Sequence, residues 1–307
     1  MKKIDLLIEA IKEKKSHVVV GLDPKLEEMP KEFIKKAKEN NLSLSDVIFN
    51  FNKEVIDAVY DLVPAVKAQV AYYEMYGLEG LLAYKKTIEY AKSKKLIVIG
   101  DIKRSDIGST SLAYSKAHIG SVYYNDKKVN DFAVDAVTIN PFLGSDTLKE
   151  FEEDMTNEGA MMFVLVKTSN KSSGELQDLD SGGKKIYEHV AKLVSDMAKS
   201  HMGTNGYSGV GAVTGATYKE ELINIRKLMP ESYFLIPGYG AQGGVASDVV
   251  GGFNKDGLGA VINSSRGIIY AYKKYEKDIK ESSRMAVIEM NRNINNALQE
   301  VDKIAWE

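Results

Sequence analysis

Eight short apolar runs rich in β-branched residues punctuate the chain, at 18–20, 65–70, 96–99, 136–139, 161–166, 210–213, 233–236 and 259–262. Each is hydrophobic on both faces, as a strand buried in a parallel sheet must be. Stretches with helical spacing lie between them, at 55–62, 81–91, 185–198 and 218–228. Eight strands, each followed by a helical or loop crossover, predict an α/β fold of the (β/α)8 TIM-barrel class. Residues 1–307 are then one barrel domain with additional helices at the N- and C-termini. A doubly wound open sheet shares the alternation, but the polar residues favour the barrel. Asp23, Lys67, Asp101, Lys103, Asn140, Thr168, Ser169, Pro237, Gly238 and Ser264 all fall at or just past the C-terminal ends of the runs. A barrel gathers those ends at one mouth, whereas an open sheet spreads them along a line.

The 41 Lys and Arg against 43 Asp and Glu leave a net charge of −2, which gives no electrostatic case for a nucleic-acid or membrane-surface partner. The absence of cysteine removes disulfides, thiolate nucleophiles and Cys-based metal sites. No run of roughly 18 apolar residues occurs, so nothing is expected to span a bilayer. Residues 1–15 place Ile4, Leu7, Ile8 and Ile11 on one face, with charges interrupting too often for a signal peptide, and a cytoplasmic location is expected. Residues 282–306 form a second amphipathic pattern, read as a helix that closes the barrel bottom or meets a second subunit. Segment 168–183, rich in Ser, Gly, Asp and Asn, follows a strand end and suits a mobile active-site cover.

The sharpest motif is Asp101-Ile102-Lys103-Arg104-Ser105-Asp106, continuing to Gly108-Ser109-Thr110. Asp101 and Lys103 are two apart on a strand and so share a side. Two carboxylates bracketing an ammonium keep it charged and fixed. Ser109 or Thr110 suits a cap for the helix that follows. Lys67 interrupts a buried strand and needs a partner such as Asp101. Asp23 is either a turn-forming Asp-Pro or a ligand of the site, and Ser169 either caps a turn or meets a ligand's ring edge. Two Gly-rich turns, at 236–244 and 261–267, follow the seventh and eighth runs. In barrels those two loops and a helix N-terminus make the common phosphate site. Arg266 supplies a bidentate clamp there and Gln242 a second donor. His17, His118, His189 and His201 show no metal-ligand spacing, and those at 189 and 201 are expected on the surface. Trp306 reads as a docking residue.

These motifs make the chain resemble the orotidine 5′-monophosphate decarboxylase family, in its longer bacterial form. The resemblance runs from Gly21-Leu22-Asp23 to Asn263-Ser264-Ser265-Arg266-Gly267. It is most specific in Asp101-x-Lys103-x-x-Asp106-x-x-x-Thr110 and in Pro237-Gly238-Tyr239-Gly240-Ala241-Gln242-Gly243-Gly244. Additional segments near 25–45 and 176–183 lengthen the chain relative to compact members. The resemblance implies a homodimeric barrel that acts on orotidine 5′-monophosphate with neither metal nor organic cofactor. It also implies that Lys103 is the proton donor, that Asp101 lies beside the substrate carboxylate, and that Asp106 and Thr110 reach into the partner's site. Lys67 and Asp23 then hold the ribose hydroxyls, Ser169 the pyrimidine edge, and Gln242 and Arg266 the phosphate.

Three rival readings fit the chemistry less well. A Mg²⁺-dependent sugar-phosphate decarboxylase wants a carboxylate where Lys67 stands. A Schiff-base aldolase wants a lysine of lowered pKa, which neighbouring carboxylates oppose. A non-catalytic nucleotide sensor has no use for a carboxylate set against an anionic ligand.

Overall fold

The computed structural model describes residues 1–215, 219–239 and 246–306. Eight parallel strands close into a barrel: β1 (Val18–Gly21), β2 (Ala65–Gln69), β3 (Ile97–Arg104), β4 (Ala136–Ile139), β5 (Met161–Lys167), β6 (Ser208–Thr214), β7 (Ser232–Ile236) and β8 (Ala260–Ser264). Each pairs with its neighbours in chain order, and β8 returns to pair with β1. Successive side chains of each strand serve different cores. Val19, Ile97, Ile99, Phe163, Tyr233 and Val261 fill the barrel interior. Val18, Val20, Val66, Val98, Val164 and Phe234 meet the surrounding helices. Both faces are covered, so the strands read as apolar throughout.

The floor of the barrel is made by α1 (Lys3–Lys14), which buries Ile4, Leu7, Ile8 and Ile11 completely among the interior residues. Burying each contributes roughly 1.5–3 kcal/mol. Asp5 ties the helix down by accepting from the backbone and side-chain amides of Asn205, both at 3.1 Å. Lys14 Nζ donates to the carbonyls of Tyr60 and Val63.

Of the two roles expected for the last helix, closing this end is therefore corrected, because α1 already occupies it. The last helix packs outside, against α2 (Leu44–Val59). Only the tail beyond it returns beneath the barrel. There the Trp306 ring lies 5.2 Å from that of His17, which itself meets Phe253 edge-on at 4.8 Å. Trp306 thus docks as expected. Of the two histidines expected at the surface, only His189 is exposed. His201 retains 11% of its side-chain exposure and faces Glu152. Among the described residues no helix is long and apolar enough to cross a membrane.

Two further helices position the site: α3 (Gly77–Ser93) after β2, and α4 (Gly108–His118) after β3. The last helix is α5 (Ile279–Gln299), whose N-terminus is capped by Asp278 accepting from the Glu281 amide at 2.8 Å.

Candidate active site

Two adjoining cavities at the C-terminal rim of the barrel hold the charged residues predicted for the site other than Asp106. The inner one, about 360 Å³, is lined by Lys67, Asp101, Lys103, Thr138, Ser169 and Asn263, among others. The outer one, about 680 Å³, is lined by residues that include Asp23, Lys25, Tyr72, Ser265 and Arg266. Pro237 and Asn263 line both, so the two adjoin. Together they accept a ligand with a compact reacting end and a polar, charged far end.

Asp101, at the end of β3, organises the inner cavity. Its carboxylate accepts four hydrogen bonds. One oxygen takes Lys67 Nζ at 2.9 Å and Gln69 Nε2 at 3.0 Å; the other takes Lys103 Nζ at 2.5 Å and Thr138 Oγ1 at 2.7 Å. Burial raises the pKa of such a group, yet the two ammonium groups and their hydrogen bonds more than reverse this. Asp101 is held well below the usual carboxylate range and stays ionised. Burial likewise opposes the charge of Lys67, but Asp101 and then Asp23, whose Oδ1 lies 3.8 Å from Nζ, raise it above the ordinary lysine range. The partner inferred for Lys67 from its burial is therefore the one it has. With Asp23, two carboxylates meet two ammonium groups, and no buried charge is left uncompensated.

Lys103 arrives by a route that simple alternation does not describe. The pairing of β3 with β4 shifts register between Gly100 and Arg104, and Lys103 adopts φ +48°, in the left-handed region. That conformation costs a non-glycine residue about 1–2 kcal/mol. The Lys103 backbone amide donates to Thr138 Oγ1 at 3.1 Å, which secures the bulge. A bulge of this kind re-aims a side chain. Here it leaves the ammonium on Asp101 with 43% of the Lys103 side chain still exposed toward the mouth.

Thr168, Ser169 and Asn170 follow β5 and line the inner cavity. Their position is fixed from below. Gln177 accepts from the Thr168 amide at 2.9 Å and donates to its hydroxyl at 2.8 Å. Lys167, only 1% exposed, reaches Asp178 at 2.5 Å. Segment 168–183 is more structured than its composition suggests, with a 3-10 turn (Lys171–Ser173), a short helix (Gly174–Gln177) and a small two-stranded ribbon. Gly215 is required where it stands, because a Cβ there would come within 3.0 Å of Ser169.

Arg266 opens a four-residue helix on the rim of the outer cavity, as its position after β8 implies. Gln242 lies outside the described residues. Asp106 and Thr110 do not join this chain's own site. Asp106 accepts from the Ile107 amide at 2.8 Å, and Thr110 is exposed in the first turn of α4. The row of charge expected from Asp101 through Lys103 to Asp106 is thus replaced by Asp23–Lys67–Asp101–Lys103. The intervening chain turns Asp106 away to begin a helix. The cap expected at Ser109 or Thr110 also differs, since Ile107 occupies the cap position and no side chain caps the helix.

Gln69, Thr138 and Gln177 were missed in the sequence. Gln69 and Thr138 had a signal: each is a polar residue inside a mainly apolar run. Gln177 had none, because its partner is nine residues away across a loop. Among the described residues no three His, Asp or Glu gather as a metal site.

Comparison with known proteins places the chain in a family. Residues 16–280 match the family described as orotidine 5′-phosphate decarboxylase / HUMPS. An orotidine 5′-phosphate decarboxylase of Clostridium acetobutylicum is 44% identical over 299 residues, covering 96% of this chain and 99% of that one. Its counterpart from Caldicellulosiruptor saccharolyticus is 42% identical, with 96% and 98% covered. The structure of the Leishmania donovani OMP decarboxylase superposes with a TM-score of 0.74 at 30% identity, covering 97% of this chain and 98% of that one. By the match over most of its length and by these relatives, the chain belongs to the orotidine 5′-phosphate decarboxylase / HUMPS family.

Proposed function

We infer that the chain carries out the decarboxylation for which these relatives are named, converting orotidine 5′-phosphate to uridylate and CO₂ in de novo pyrimidine biosynthesis. It is a carboxy-lyase in which Lys103 supplies the chemistry. The bond from the pyrimidine ring carbon to its carboxylate breaks, and the electron pair stays on that carbon. No electron sink is required if a fixed ammonium stabilises the developing charge and then transfers its proton to the same carbon. The observation that carries this reading is Asp101 bound to both Lys67 and Lys103 at the floor of the inner cavity. An ionised Asp101 beside the substrate carboxylate repels it by roughly 4 kcal/mol at 4 Å and an effective dielectric of 20. Binding at the far end, by Arg266 and Gln242 on the phosphate, must hold the substrate against that repulsion. In this reading Asp23 and Lys67 hold the ribose hydroxyls and Ser169 the pyrimidine edge.

The same reading makes the enzyme a cytoplasmic homodimer of single-domain barrels, with Asp106 and Thr110 completing the partner's site. The rim residues after β2, β3 and β4 support a second copy there: Leu78 is 85% exposed, Ile107 62% and Phe142 73%. Apolar side chains this exposed, on the first turn of α3 and in the segments after β3 and β4, suit burial against another subunit.

The test is an absorbance assay with orotidylate and no added metal, before and after exhaustive EDTA treatment. Lys103→Ala should reduce turnover about a thousandfold or more while uridylate still binds. A variant within tenfold of wild type would remove Lys103 from its role.

A further inference from the structure

We propose that Lys25 is a phosphate-binding residue, the second cation that, with Arg266, makes the outer cavity electropositive toward a dianionic monoester. This rests on the orotidylate reading above and adds a residue to it. The charged side chains lining the cavity are Asp23, Lys25, Glu28, Arg266 and Lys273. Glu28 and Lys273 pair with each other, and Asp23 faces Lys67. Without Lys25, Arg266 is the one cation of that wall left with no ion-pair partner among the described residues. A phosphate group of charge about −1.5 to −2 would then meet a single positive charge.

Lys25 acts on Glu28 only at a distance, as the weaker helper of Lys273 in holding that carboxyl below its usual range. Among the described residues its ammonium pairs with no carboxylate, and Nζ lies 5.5 Å from the centroid of the Tyr72 ring, which also lines the cavity. That contact lays the aliphatic stem along the wall and keeps the charge at the cavity. The backbone beneath it is fixed as well. The Lys25 amide donates to Tyr270 Oη at 2.8 Å, and the Tyr270 hydroxyl donates to the Asp23 carbonyl at 3.1 Å. The next amide, of Leu26, donates to Tyr76 Oη at 3.0 Å. Two tyrosines from different parts of the chain thus hold the β1 loop so that Asp23 and Lys25 line one cavity. A charge positioned before the ligand arrives is one whose ordering does not weaken binding.

The test is calorimetric titration of uridylate into wild type, Lys25→Met and Lys25→Arg, with thermal melting to establish that each variant folds. Methionine keeps the stem over Tyr72 and removes only the charge. Lys25→Met should weaken uridylate binding about tenfold or more, and Lys25→Arg should stay within about threefold of wild type. A loss under threefold in Lys25→Met, or an equal loss in Lys25→Arg, overturns the proposal. Turnover of orotidylate by the wild-type enzyme tests the underlying reading separately. A wild type that binds uridylate through Lys25 but leaves orotidylate intact would sink that reading and leave Lys25 standing.

Discussion

Replacing Thr138 by valine tests the architecture around Asp101 without touching a charge. Thr138 is 1% exposed, and valine matches its shape. Its hydroxyl donates to Asp101 at 2.7 Å and accepts from the Lys103 amide at 3.1 Å, so Thr138→Val removes both supports of the bulge. A hydrogen bond to a charged group contributes about 1.5–3 kcal/mol. Asp101 keeps its other three donors, so the carboxylate stays ionised while the Lys103 backbone loses its restraint. If the lost interaction falls on the transition state, kcat drops roughly 10- to 150-fold. Uridylate affinity should change little if the proposed phosphate contacts at the outer cavity dominate it. Thr138→Ser retains the hydroxyl and should stay within a few-fold of wild type. Initial rates of orotidylate consumption decide the matter. A folded Thr138→Val enzyme with kcat within threefold of wild type would show that the bulge needs no hydroxyl and that Lys103 is aimed by other means.

Two further outcomes are expected. Mixing an inactive Lys103→Ala enzyme with an inactive Asp106→Ala enzyme should restore part of the activity, because one site in the mixed dimer would have both residues intact; mixed dimers that remain inactive mean each site is built from one chain. His17 is wholly buried, and burial pushes its pKa from 6.5 down to about 3. The unfolded chain therefore takes up the proton first, so stability is lost as the pH falls from about 6.5 toward 3, by up to about 4–5 kcal/mol from this residue. His17→Leu should flatten that slope in denaturant titrations at successive pH values, and an unchanged slope argues against a neutral imidazole beneath the barrel.

The barrel was legible because parallel strands covered on both sides must be apolar throughout, and few other folds place eight such runs in series. The pairing at the candidate site was legible for a related reason: Lys67 and Asp101 are charges that a buried strand tolerates only together. The geometry of Lys103 was not. Strand alternation places it beside Asp101, but the register shift and the positive φ that bring it there depend on Thr138, 35 residues away. Asp106 misled because proximity in sequence suggests a shared charge row, whereas a helix begins just beyond it. The roles of the two terminal helices were also hidden, since both are amphipathic. An apolar stripe records that a helix is covered, not what covers it.

Among the described residues the first helix stoppers the lower end of the barrel. If the nucleotide sits as proposed, gas liberated deep in the inner cavity leaves toward the rim, past the ribose or after it. The order of product departure then belongs to the loops at the rim, and a substitution there can alter throughput without changing a single reacting atom.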